Sequence, residues 1–281
     1  MDTHPLELHT RSVDVGTNPA KRLRIFNVVM GLLHLASASA MVALSNDFTL
    51  PVSTFALGGP PGTPLSQGVT NLVFDLPLGV ATASFLFLSA FFHFLIASPW
   101  GFPRYVDELS QGRNRFRWVE YSLSSTLMII LISLVLGISD VAALIGLGIA
   151  NVSMILFGWL MEMSNNGLMH GKEGQPARGH RAWWTPFWFG CIAGVGPWLA
   201  AATYLFVNVA VLDGPGPPGF VYGIIGSLFV FFNSFAVNQW LQFRQVGRWR
   251  DYLTGERTYI VLSLVAKSLL AWQVFANVLI G

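Results

Sequence analysis

Seven separate stretches of this chain run for about 20 residues with almost no ionised side chain, the length a helix needs to cross about 30 Å of hydrocarbon. They are Ile25 to Asn46, Asp75 to Pro99, a third from near Leu109 to Ile138, Val141 to Met163, Pro186 to Leu212, Gly219 to Gln245, and Thr258 to Ile280. Backbone in lipid must satisfy its own N–H and C=O groups, so runs of this length are expected to be helices. The expected fold class is therefore an all-α membrane protein, a seven-transmembrane-helix bundle. Composition agrees, with 53% of the 281 residues hydrophobic and 11% charged, against about 25% charged in soluble domains. Lys and Arg number 16 and Asp and Glu 14, which leaves no basic surface for nucleic acid and no acidic disordered character. The one cysteine, Cys191, lies in an apolar run, which excludes a disulfide framework and a thiolate metal cluster.

Residues 1–24 read as a polar tail, because they lack the apolar centre of a signal peptide, and 25–281 read as one membrane domain. The longest connection joins the first two spans. It carries Gly58, Gly59, Pro60, Pro61, Gly62 and Pro64, and FTLPVSTFAL before them reads as a short strand, giving a small ordered flap.

The basic residues are one-sided. Arg11, Lys21, Arg22 and Arg24 precede the first span; Arg104, Arg113, Arg115 and Arg117 lie between the second and third. Lys172, Arg178 and Arg181 lie between the fourth and fifth, and Arg244, Arg248, Arg250 and Arg257 between the sixth and seventh or at their ends. All of these fall on the side of the amino terminus. Since Lys and Arg are retained on the cytoplasmic side, the expectation is a multi-pass cell-membrane protein with its amino terminus in the cytoplasm and its carboxyl terminus outside.

Lys267 is the remaining basic residue, ten residues past Arg257 and so about 15 Å along the seventh helix. A lysine at that depth is unfavourable by about 2.5–3.5 kcal/mol on insertion scales, which marks a functional site in need of a partner. The candidate is Glu120, the carboxylate read as well inside a span, whereas Asp75, Asp140, Glu162 and Asp213 fall at expected helix ends. With the third helix starting near Leu109, Glu120 lies about 16 Å in, matching Lys267. One reading of the pair is a structural salt bridge. The other is chemical: removal from water favours an uncharged amine, a nucleophile that condenses with an aldehyde, and Glu120 is then the counterion of the resulting cation.

Lysine mid-way in the seventh span and carboxylate in the third resemble the retinal-binding rhodopsins. The segments RWVEYSLSSTLMI, NVSMILFGWL, PFWFGCIAG, PGFVYGIIGSLF with FFNSFA, and YIVLSLVAKSLLAWQ resemble heliorhodopsins in particular, and the match runs from Ile25 onward together with the inverted topology. The resemblance implies all-trans retinal bound covalently at Lys267 as a protonated Schiff base, with Glu120 as counterion and His34 and His93 in a polar cluster on the cytoplasmic side. It further implies a photoreceptor rather than an enzyme, signalling or regulatory through an unknown partner, without net ion transport, and a homodimer in the bilayer.

Ser263 lies four residues before Lys267, on its face, where familiar proton pumps carry a second carboxylate. In the third helix the positions that pumps use for proton relay hold Glu120, Ser124 and Leu131, and a leucine passes no proton. Arg117, three residues before Glu120, has two readings: a cap on the cavity or a headgroup anchor. The histidines have three, as packing residues, as acceptors of the Schiff-base proton, or as haem ligands. For the pocket the matching motifs name Tyr121, Ser124, Ser125, Asn151, Met154 and Phe232, while Trp272 falls off the face of Lys267. Two other functions stay open, a light-driven ion transporter or channel and a small-molecule transporter with a structural Lys267–Glu120 pair.

Overall fold

Each apolar run is a helix, and the polar breaks between them fix where the helices stop. A computed structural model describes residues 16–165, 182–211 and 219–280. In chain order it contains α1 (Thr17–Leu44), β1 (Thr49–Ala56), β2 (Val69–Pro77), α2 (Leu78–Ala97), α3 (Gly101–Ser110), α4 (Arg115–Val135), α5 (Val141–Asn165), α6 (Thr185–Val211), α7 (Gly219–Arg244) and α8 (Tyr252–Ile280). All but the short α3 are long and apolar enough to span a membrane.

Four expected boundaries are corrected. Helix α1 begins at Thr17 rather than Ile25, so Lys21, Arg22 and Arg24 lie on a helix and not in a tail. Pro19 is tolerated there because a first-turn N–H has no helical partner to lose. The second span begins at Leu78, since Asp75 to Pro77 complete a strand. The third expected helix is two: α3 ends at Ser110, and the chain turns at Gly112, whose φ of 66° permits the Gly112 N–H to reach the Leu109 carbonyl and the Arg113 N–H the Glu108 carbonyl. Asn114 then caps α4, accepting from the Arg117 N–H at 3.2 Å. Helix α8 begins at Tyr252 rather than Thr258, started by Asp251, which accepts from the Leu253 N–H and the Thr254 hydroxyl. Residues 1–15, Lys172, Arg178, Arg181 and Asp213 lie outside the described residues.

The flap is a two-stranded antiparallel sheet running from Thr49 opposite Pro77 to Ala56 opposite Val69. It is tied across that end of the bundle. The Ser53 N–H donates to Ser139 O at 2.8 Å in the α4–α5 turn, and Asn46 Nδ2 donates to Val278 O at 2.8 Å near the end of α8.

The interior is layered along the helix axes. A large apolar cluster at the hairpin end includes Met41 of α1, Leu78 and Phe85 of α2, Met128 and Leu131 of α4, and Phe275 of α8. A second cluster at the arginine-rich end includes Leu23, Ile96, Leu109, Tyr252 and Ile260. On these spans Asn27 and His34, Ser89 and His93, Glu120 and Ser124, and Ser263 and Lys267 fall between the two clusters in sequence, while Thr82 and Ser133 donate to their own helices within the hairpin-end cluster and Glu256 falls within the arginine-rich one. The site is therefore a polar layer capped by apolar packing at the hairpin end.

Candidate functional site

Lys267 projects from the middle of α8 and is 4% exposed, so all three ammonium hydrogens need partners within the protein. They have them. Nζ donates to Glu120 Oε1 in a buried ion pair, to Ser89 Oγ at 3.0 Å and to Ser124 Oγ at 3.1 Å. Ser89 donates in turn to Glu120 Oε1 at 2.9 Å, which makes a closed ring of lysine, serine and carboxylate. The Tyr121 ring lies 4.8 Å from Nζ and the Phe85 ring 5.7 Å, so the cation meets aromatic faces on its open sides. The depth match expected from a helix starting at Leu109 does not survive the corrected start. Glu120 is the sixth residue of α4, and it meets Lys267 because α8 reaches well beyond α4 at the arginine-rich end.

Two cavities abut this ring. One, of about 100 Å³, is lined by Lys267, Ser124, Ser125, Met128, Met154 and Phe232, with Phe85, Trp118 and Tyr121. It continues past Met154 and Gly158 into an apolar cleft of about 630 Å³ between α6 and α7. Gly158 is required there, because a Cβ on it would lie 2.6 Å from the Trp118 ring. The other cavity, of about 40 Å³ and so able to hold two or three waters, is lined by Ser89, His93, Arg117, Glu120, Glu256 and Ser263 among others. Tyr121 and Tyr259 wall both.

The expected site residues separate accordingly. Ser124, Ser125, Tyr121, Met154 and Phe232 line the apolar cavity with Lys267. Asn151 stands behind it, donating to Ser125 Oγ at 2.8 Å and Thr126 Oγ1 at 3.0 Å. Ser263 lines the smaller cavity, with its hydroxyl 3.4 Å from His93 Nε2, while His93 Nδ1 is 2.8 Å from Asn27 Oδ1. His34 stacks on His93 with ring centres 5.6 Å apart, and neither of its nitrogens has a hydrogen-bonding partner among the described residues.

Arg117 is buried at 5% exposure, so of its two readings the headgroup anchor is set aside. It pairs with two carboxylates, Glu162 of α5 and Glu256 of α8, the latter at 2.5 Å from Nη1, and stacks 3.9 Å from the Tyr259 ring. Glu162 also accepts from Trp118 Nε1 at 2.5 Å, the Asn114 N–H at 2.9 Å and the Tyr252 hydroxyl at 3.3 Å. Glu256 accepts from Tyr105 Oη at 2.9 Å and Asn114 Nδ2 at 2.7 Å. Burial first, and then the neighbouring Glu256 carboxylate, push the Tyr105 phenol well above its usual range, so it stays a donor.

Ser89, Glu162 and Glu256 were missed from sequence. A span ending at Met163 puts Glu162 at a helix end, but α5 runs on to Asn165 and buries it. Glu256 was placed before a helix start at Thr258, although Asp251 is a cap residue four positions after a glycine and signals an earlier start. Ser89 is one serine among many in apolar runs, and only tertiary contact distinguishes it.

The family model described as Heliorhodopsin matches residues 23–279. No curated protein matches the chain. Among solved structures, a crystal structure of a light-driven proton pump from Leptosphaeria maculans superposes with a TM-score of 0.58 at 16% identity, covering 95% of this chain and 96% of that one. At that identity the likeness is one of fold.

Proposed function

The chain belongs to the heliorhodopsin family, and from that premise we propose that it is a light-sensing membrane protein that holds all-trans retinal covalently at Lys267 as a protonated Schiff base. Retinal supplies an aldehyde for the amine and a conjugated chain that isomerises on absorbing light. The observation that carries the reading is the position of Nζ, which sits where an apolar, aromatic-walled cavity meets a carboxylate. Phe85, Trp118, Met128, Met154 and Phe232 suit a polyene, Ser124 and Ser89 hold the nitrogen, and Glu120 neutralises it.

The proposal extends to an absence of net ion transport. Among the described residues, every buried ionisable side chain lies at the level of Lys267 or toward the arginine-rich end, while the hairpin end is filled by apolar residues such as Leu131, fully buried. Among the described residues, a proton leaving Nζ has buried ionisable groups to go to on one side only. With arginine retained in the cytoplasm, that side is the cytoplasmic one and the amino terminus is inside. Signalling through a partner, and the homodimer, belong to the same proposal.

The test is the absorption spectrum of the wild type and Lys267→Ala, each supplied with all-trans retinal and then bleached with hydroxylamine. A visible band in the wild type alone, lost on bleaching, is expected. No band in either protein returns Lys267 to a structural ion pair. Charge movement on illuminating the pigment in liposomes defeats the non-transporting part.

A further inference from the structure

The two buried charge groups of α4 differ in balance. Lys267 and Glu120 cancel, whereas Arg117 faces both Glu162 and Glu256 and leaves one negative charge in excess. Two carboxylates sharing one guanidinium repel each other, and a proton on either relieves the repulsion. The two are not equivalent as receivers. Glu162 is saturated by Arg117, Trp118, Asn114 and Tyr252, and it does not border the smaller cavity. Glu256 borders that cavity, whose wall also contains Glu120 and Ser89, two of the three groups to which Nζ donates.

We infer that Glu256 is the group that accepts the proton released from Lys267 Nζ after illumination and holds it until return. The inference rests on the retinal reading of Lys267. The N–H bond at Nζ breaks with its electron pair staying on nitrogen, the proton passes by Ser89 or Glu120 and cavity water, and an O–H bond forms on the Glu256 carboxylate. Arg117 then retains a single ionised partner, Glu162, and the two form a balanced pair. His93 is a poorer receiver by position, since Asn27 holds one ring nitrogen and the Ser263 hydroxyl faces the other. Return is the same transfer reversed, so no charge crosses the apolar hairpin end.

The groups facing Glu256 set the two states. Arg117 of α4, Tyr105 of α3 and Asn114 at the start of α4 all donate to the carboxylate. Protonation weakens all three bonds together, because each is strongest to an ionised acceptor.

The experiment is light-minus-dark infrared difference spectroscopy on retinal-loaded wild type, Glu256→Gln and Glu256→Asp, with the visible spectrum recorded alongside. In the wild type a carboxylic-acid C=O band is expected to rise as Nζ loses its proton. Glu256→Gln should lack that band and lose the proton from Nζ roughly 10²-fold more slowly, with its dark visible band still present because Glu120 remains. Glu256→Asp should keep the band at a shifted frequency. A band of unchanged frequency in Glu256→Gln overturns the inference and moves the acceptor to Glu120. Should Glu256→Gln form no pigment, the aspartate variant decides, and an unshifted band there overturns it equally. A colourless wild type is a different failure, since it removes the retinal reading and this inference with it.

Discussion

Helix α4 carries two buried ionised residues one turn apart, Arg117 and Glu120, and each is neutralised differently. Glu120 meets one cation, and that cation spends its other hydrogens on two serines. Arg117 meets two carboxylates, which are held by an amide, a backbone N–H, an indole and two phenols besides. The first group borders an apolar cavity and is poor in donors, so its charge can respond to what occupies that cavity. The second knits α3, α4, α5 and α8 together, and of its two carboxylates only Glu256 borders the smaller cavity that Glu120 also lines. A balanced pair and an unbalanced, densely bonded group are thus separated by about 5 Å of helix.

The largest effect should come from breaking the second group. Arg117→Gln leaves two buried carboxylates without a cation and is expected to cost about 3–5 kcal/mol, read as a large fall in thermal midpoint or loss of folded protein. A loss no greater than that of Lys267→Ala would erase the contrast drawn between them.

Leu131→Ala should cost about 2–5 kcal/mol by opening a cavity in the hairpin-end cluster while leaving the visible band in place. A strong spectral change would mean that the apolar end reaches the chromophore. Glu120→Gln should matter less for stability, since the carboxylate it removes sits beside water-sized space, but it should shift the visible band to the red by weakening the counterion field. An unchanged spectrum would refute Glu120 as counterion. Smallest is Gly158→Ala, whose added methyl must displace the buried Trp118 ring, with an expected cost of about 1–3 kcal/mol in thermal unfolding and slower pigment formation with retinal.

The seven spans were legible because length and apolarity alone decide them, and the pairing of Lys267 with Glu120 because isolated charges in such spans need partners. Boundaries were harder. The break at Gly112 lies in a polar stretch that a depth count from Leu109 runs straight through, and the early start of α8 is set by Asp251 rather than by hydropathy. Those two shifts hid the Arg117 group, since Glu256 enters a helix only when α8 starts at Tyr252. Helical spacing puts Ser263 on the face of Lys267, yet spacing does not say which of two adjoining cavities a face meets, and Ser263 lines the smaller one while Lys267 lines the larger.

Chain order gives the Arg117 group a time axis. Arg117 is made 45 residues before Glu162 and 139 before Glu256. It enters the bilayer as the third residue of α4, close enough to the surface for its long side chain to keep its head in water. Completion of α5 supplies its first anion and completion of α8 its second. Final seating of the arginine is therefore an event of the last span, and a ribosome-bound chain that stops short of Tyr252 carries α3 without the acceptor for its Tyr105 hydroxyl. The group that ties α3, α4, α5 and α8 together is thus complete only once α8 has been made.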